Sequence, residues 1–358
     1  MRIFPSEMQT FIDKETNVVV RQLTNQQCIN HHPFFLIPAY DRNMQWLFFV
    51  SHRTGSPQIF GIELGSYKQI QFTDVKDLTE WSVHPDLSGT YVYFTTKTGG
   101  WQLETSSGKV RNLFGYENAS AKASGMVAGG MGTTALSPNG IYWAFPYNTP
   151  DGVTIMKVDT RDGRISEITT HDAVAHMQFC PDNDELLYFA GNFTERLWTI
   201  NVDGTGKTKH GNRKKEQWIT HESWIPGKRE LMFVDWPHAV RAVSIDTGIE
   251  RTIAHVNAWH AICDMKGEMV IADTNCPDIG IQVFSTDGND ECKTICHPHA
   301  TNAGDHWNGP FPYENGPIKV YAPQHTHPHP RFSPDRRRIV FTSDSSGFAQ
   351  VYETDFVG

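Results

Sequence analysis

No run of about 18 apolar residues occurs in the chain, so no helical membrane span is expected. Cysteine is scarce: the six present sit at irregular spacing and read as reduced thiols rather than a disulfide framework. The stretch Cys292-x3-Cys296-His297-x-His299 does not have the usual spacing of zinc ligands. Basic residues do not cluster, and 31 Lys and Arg against 40 Asp and Glu leave a net charge of −9. That balance disfavours nucleic acid and acidic membrane surfaces as partners. The opening residues, MRIFPSEMQTFIDKETN, lack the charged-then-apolar pattern of a leader peptide. These absences together give the expectation of a soluble, cytoplasmic protein.

Glycine, proline and aromatics are plentiful, at 29 Gly, 20 Pro and 12 % Phe, Trp and Tyr, and they fall in a repeat. A Pro/Asp/Gly-type turn precedes an apolar, aromatic-rich strand, which leads to a further strand and a Thr-Gly or Asp-Gly hairpin. The clearest turns centre on Pro85, Pro138, Pro181, Pro226 and Pro334, and two degenerate copies lie at Tyr40–Asn43 and Asp264–Gly267. From Pro85 to Pro226 the prolines are 53, 43 and 45 residues apart. A period of about 40–50 residues with four strands per unit is the mark of a β-propeller. Seven copies predict an all-β, seven-bladed propeller of four-stranded blades, a single domain spanning 1–358. The last copy runs out of chain before its fourth strand. Residues 16–24 have the form of that strand, so the N-terminal segment is expected to close the ring and cover a free edge. Residues 290–325, rich in Pro, Gly and His, are too long for a simple connection and read as a functional insertion.

Histidine is also abundant, with 17 residues, and several share one register. Five residues before the turn position stand His176, His221, His260 and His329. This slot begins the innermost strand, so four imidazoles are expected at one mouth of the central channel. Gln324-His325-Thr326-His327-Pro328-His329-Pro330 adds more donors beside the last of them. Its prolines hold the segment extended, which places alternate side chains on one face. Imidazole-rich ligation suits Mn, Zn, Fe, Ni or Cu better than Ca or Mg.

The segment from Gln324 to Pro330, running into Arg331-Phe332-Ser333-Pro334-Asp335, resembles the oligogalacturonate lyases of polysaccharide lyase family 22. Thr220-His221-Glu222-Ser223-Trp224-Ile225-Pro226 and Arg196-Leu197-Trp198-Thr199-Ile200 match further family segments, and Asn30-His31-His32 does so more loosely. The resemblance implies β-elimination of short uronic-acid oligosaccharides with a bound divalent metal, manganese, while the imidazole donors leave zinc, iron or nickel open. It places the metal on His260, Gln324, His327 and His329, the catalytic base on His221 and an active-site arginine on Arg196. His176, His31 and Trp307 are read as substrate contacts, with His31 and His32 either lining the same mouth or joining the first strand.

The chemistry agrees with these residue types. The metal would act as a Lewis acid on the uronate carboxylate, an imidazole would take the C5 proton, and a guanidinium would hold developing charge. Two other readings compete, a non-catalytic propeller that binds proteins across its face and a metal-dependent hydrolase.

Overall fold

The computed structural model describes residues 1–115, 133–211, 213–214, 217–289, 291–301 and 326–357. Seven antiparallel sheets follow one another along the chain, and among the described residues the regular structure is strand apart from one short 3-10 turn, Glu80–Ser82. The innermost strands are Asn30–His31, His84–Pro85, Ala135–Leu136, Ala175–Cys180, Trp218–Ile225, Ala258–Cys263 and Arg331–Phe332. The inner strands of the third, fourth, fifth and sixth blades contact one another in turn, as a ring around a channel requires. This is the seven-bladed propeller that the repeat predicts.

Several of the repeat turns form because a short polar side chain closes them. Ser333 Oγ accepts from Arg338 N, Ser137 Oγ from Tyr142 N, and Asp41 Oδ1 from the amides of Gln45 and Trp46. Gly267 occupies such a turn at φ 69°, and a Cβ there would lie 2.2 Å from the Pro226 carbonyl of the preceding blade. Glycine is required at that position by both backbone and space.

The core lies between blades. Trp218, Val234, Trp236 and Val240 of the fifth blade meet Ala258, Trp259 and Val270 of the sixth. Tyr188 and Leu197 of the fourth meet Trp224 and Phe233 of the fifth. Each fully buried side chain of this kind stabilises by about 1.5–3 kcal/mol, so the sheets hold their neighbours in place around the ring. After the first inner strand, Phe34 and Phe35 turn into the channel and plug it, both essentially inaccessible to solvent.

Val19–Gln22 adds to the last blade in antiparallel register, with Val20 opposite Thr354 and Gln22 opposite Tyr352. Arg21 forks onto Asp355 at 2.9 and 2.5 Å, and the Thr354 hydroxyl donates to the Val19 carbonyl. Two features depart from the sequence reading. The first and last blades each carry a fifth strand, because Arg2–Phe4 pairs with Gln69–Gln71 and Gln9–Ile12 pairs with Val19–Gln22. The chain ahead of the closing strand thus covers both outer edges, where open backbone groups would otherwise invite a second chain. The proposed insertion 290–325 begins too early. Lys293–Thr294 pairs with Gln282–Val283 as the fourth strand of the sixth blade, a strand too short and polar to stand out in the sequence. The remainder, 302–325, lies outside the described residues.

No helix among the described residues is long and apolar enough to cross a membrane. A cavity of about 610 Å³ opens at the turn-side mouth, lined by Pro85, Pro138, Pro181, Pro226 and Pro334, and none of the in-register histidines lines it.

Candidate metal centre and active site

The inner strands of the fourth, fifth and sixth blades each break register at the histidine. His176 and Met177 face one residue of the neighbouring strand, as do His221 with Glu222 and Trp259 with His260. Such a bulge bends the strand and re-aims a side chain. His176, His221 and His329 also hold positive φ, at 48°, 50° and 46°. A non-glycine residue there costs about 1–3 kcal/mol, a strain typical of functional positions. The backbone is thus deformed where the imidazoles turn inward.

They meet in a continuous run. Ring centroids lie 5.4 Å apart for His176 and His221, 4.1 Å for His221 and His260, and 4.1 Å for His260 and His329. His327 stands 5.3 Å from His260 and 5.5 Å from His329. The ligand atoms of His260, His327 and His329 all lie within 4.8 Å of one another, and all three residues are buried. Phe35 forms the floor, with its ring 5.0 Å from His260 and 5.8 Å from His221.

The surroundings fit a metal. Asp273 sits opposite the bulge that carries His260, and its oxygens lie 2.9 and 3.1 Å from His260 Nδ1. An ionised carboxylate only accepts, so Nδ1 carries the hydrogen and Nε2 keeps its lone pair for an ion. Asp273 also accepts from the amides of His260 at 2.6 Å and His329 at 3.1 Å. A carboxylate that fixes the tautomer of a ligating imidazole is the usual support of a histidine metal site. Burial, followed by the fields of His260 and His327, holds His329 well below the usual imidazole range, which keeps it neutral and able to ligate. His32 supports the same segment, since its Nε2 lies 2.7 Å from the His329 carbonyl and its Nδ1 2.8 Å from the Thr342 hydroxyl. His32 thus anchors the backbone of the segment that carries His329.

Beside the triad lies a second polar cluster. Glu222, fully buried, accepts from Arg196 Nε at 2.6 Å and from His176 Nδ1 at 2.8 Å. Burial alone would raise the Glu222 carboxyl, but the Arg196 guanidinium and His176 bring it down to about 2. Arg196 lies one residue before its strand, 5 % exposed, with Nη1 on the Gly191 carbonyl. The charge of Arg196, expected as an active-site arginine, is paired with Glu222. His221 is pushed well below the usual range by burial and then by His260 and His176.

His31, expected as a substrate contact, sits in the first inner strand. It is 1 % exposed, packs on Trp81 at 4.2 Å and approaches the His32 carbonyl and Glu80. Gln324 and Trp307, the remaining residues expected at the site, lie outside the described residues. Asp273, Glu222, Phe34 and Phe35 went unnoticed in the sequence. For Glu222 a signal existed: an acid within the apolar inner strand Trp218–Ile225 needs a buried partner.

Residues 138–357 match the sequence profile described as oligogalacturonate lyase. The oligogalacturonide lyase of Pectobacterium atrosepticum and the oligogalacturonate lyase of Dickeya dadantii are each 24 % identical over 220 residues. Those matches cover 58 % of this chain and 56 % of each relative, so they span little over half the length of either curated protein. An oligogalacturonate lyase solved in complex with manganese superimposes with a TM-score of 0.83 at 18 % identity, over 99 % of this chain and 98 % of the other. An oligogalacturonate lyase from Vibrio parahaemolyticus gives 0.82 at 18 % identity over the same shares. At that identity the structural likeness speaks for the propeller. The profile match spans more than half of the sequence and contains every histidine of the run, and the chain belongs to the oligogalacturonate lyase family.

Proposed function

We propose that the protein is a metal-dependent lyase that cleaves short galacturonides by β-elimination, leaving an unsaturated uronide. The observation that carries this reading is the convergence of His260, His327 and His329, three buried imidazoles from two blades, beside His221 and His176. Gln324 is proposed as a fourth ligand. A divalent ion held there, with manganese favoured by the solved relative, supplies a Lewis acid for the substrate carboxylate.

The chain's own residues then divide the remaining work. Proton abstraction from C5 falls to the stacked imidazoles, with His221 in the position expected of the base. Arg196, fixed by Glu222 and the Gly191 carbonyl, lends a rigid donor beside the reacting carbons rather than a free charge. Phe34 and Phe35 close the channel below and exclude water from the floor. Trp307 is proposed to stack on a sugar ring.

The test is incubation of the purified protein with defined galacturonide oligomers, with and without a chelator. Elimination yields a conjugated product that absorbs in the ultraviolet. A reducing end that grows without that absorbance would assign hydrolysis instead. No turnover of any oligomer, together with no bound metal, would leave a binding propeller.

A further inference from the structure

We infer that the turn-side mouth of the channel is a second binding site, which takes a small monocarboxylate on the guanidinium of Arg331. None of the in-register histidines lines that cavity, so the site is separate from the proposed metal centre and does not depend on the lyase reading.

Arg331 begins the inner strand of the last blade and lines the cavity of about 610 Å³. Its Nη1 donates to the Phe35 carbonyl, and no carboxylate of the described residues acts on its charge. Other half-buried or buried arginines are balanced. Arg53, Arg196, Arg251 and Arg338 pair with Glu7, Glu222, Glu230 and Glu353 in that order. A charge withdrawn from water without a partner is costly, so an unbalanced guanidinium beside a cavity calls for an anion. Burial lowers the pKa of Arg331 to about 10, and the group stays charged at neutral pH. A guanidinium is planar, weakly hydrated and matched to the two oxygens of a carboxylate. The Phe35 carbonyl already holds one arm in place, which reduces the freedom lost on binding.

The walls decide what the carboxylate is attached to. Leu36, Met177, Phe179, Trp224, Ile262 and Phe332 give the cavity apolar sides. A mainly apolar cavity of about 300–1,000 Å³ with few placed polar groups is the usual form of a small-molecule site. His84 also lines it but adds no charge: its Nδ1 donates to the Pro85 carbonyl at 3.1 Å and its Nε2 accepts from the Leu136 amide at 3.3 Å. Three carboxylates line the same mouth, each turned onto a repeat turn. Asp86 accepts from the Thr90 amide, Asp182 from the Gly227 amide, and Asp264 from the Glu268 amide and Arg336. The exposed Arg42 offsets one of them. Their charge disfavours phosphate or a dicarboxylate, whereas a single carboxylate on an apolar body matches both Arg331 and the walls.

The experiment is isothermal titration of the Mn²⁺-loaded and the chelator-treated protein with benzoate. Benzamide serves as an uncharged control of the same shape, and inorganic phosphate as a second anion. One benzoate should bind per chain with the same affinity in both preparations, and more tightly than benzamide or phosphate. Arg331→Gln keeps a donor for the Phe35 carbonyl and should lose about 10–100-fold in benzoate affinity, the weight of a bond to a charged group. Arg331→Lys should retain part of it. Because Arg331 supports the plug and its variants could fail to fold, a wild-type crystal soaked with 4-bromobenzoate gives an independent reading. The bromine signal should place the ligand in the turn-side cavity with its carboxylate on Arg331. Benzoate that binds no tighter than benzamide, or only in the presence of Mn²⁺, overturns the inference. So does a folded Arg331→Gln protein with wild-type affinity, or bromobenzoate absent from that cavity. Phosphate bound more tightly than benzoate overturns the choice of a monocarboxylate. All these outcomes are read without turnover, so they stand apart from the test of the lyase.

Discussion

Asp273→Asn is the sharpest perturbation of the proposed metal centre, because it removes a charge without removing volume. The carboxylate accepts from the ring of His260, from the backbone amide of His260 and from the amide of His329. An asparagine keeps one acceptor oxygen and turns an amide N–H₂ toward one of those donors. At least one bond to a charged acceptor is lost, worth about 1.5–3 kcal/mol, and a donor is left facing a donor. Loss of an outer partner of a ligating imidazole typically costs about 10–100-fold in metal affinity. At about 1.4 kcal/mol per tenfold the two estimates agree. Mn²⁺ titration in competition with a chromophoric chelator should therefore give a Kd about 10–100-fold weaker than wild type, with an unchanged circular dichroism spectrum. An Asp273→Asn protein that folds and binds Mn²⁺ as tightly as wild type would refute the reasoning, since it would show that His260 needs no carboxylate to aim it.

Three further outcomes are expected. Removing residues 1–24 strips the last blade of both outer strands and the first blade of one; the truncated chain should lose its cooperative thermal transition or self-associate, read by calorimetry and gel filtration. Phe35→Ala opens a hole beneath the histidines and should destabilise the fold by about 3–5 kcal/mol in urea unfolding. Burial lowers the pKa of His84 to about 4. A folded pKa below the unfolded one means the unfolded chain binds the proton more readily, so this contribution is complete above about pH 6.5 and fades as pH falls toward about 4. His84→Asn should flatten the loss of melting temperature over that interval, and an unchanged slope would count against the linkage.

The architecture was legible because a propeller writes itself as a period. The turns at Pro138 and Pro181 carry their own closing side chains, so spacing and composition agree on the blade count. The histidine register was legible for the same reason: a fixed offset from a repeated turn means a fixed height in the channel. What depends on contacts between blades was not. Asp273 is an ordinary strand residue until the bulge at Trp259 and His260 sets it opposite the ring. The pairing of Arg196 with Glu222, 26 residues later, arises only when the fourth and fifth blades pack together. The plug of Phe34 and Phe35 looks like any apolar pair, and the edge strands at Arg2–Phe4, Gln9–Ile12 and Lys293–Thr294 are too short to show a pattern.

The most direct test is metal stoichiometry. After reconstitution with Mn²⁺ and removal of excess, elemental analysis of wild type should find one ion per chain, and a folded His260→Ala/His327→Ala/His329→Ala protein should find none. Equal metal in the two proteins, or none in wild type at saturating Mn²⁺, would contradict a cation site on these three imidazoles.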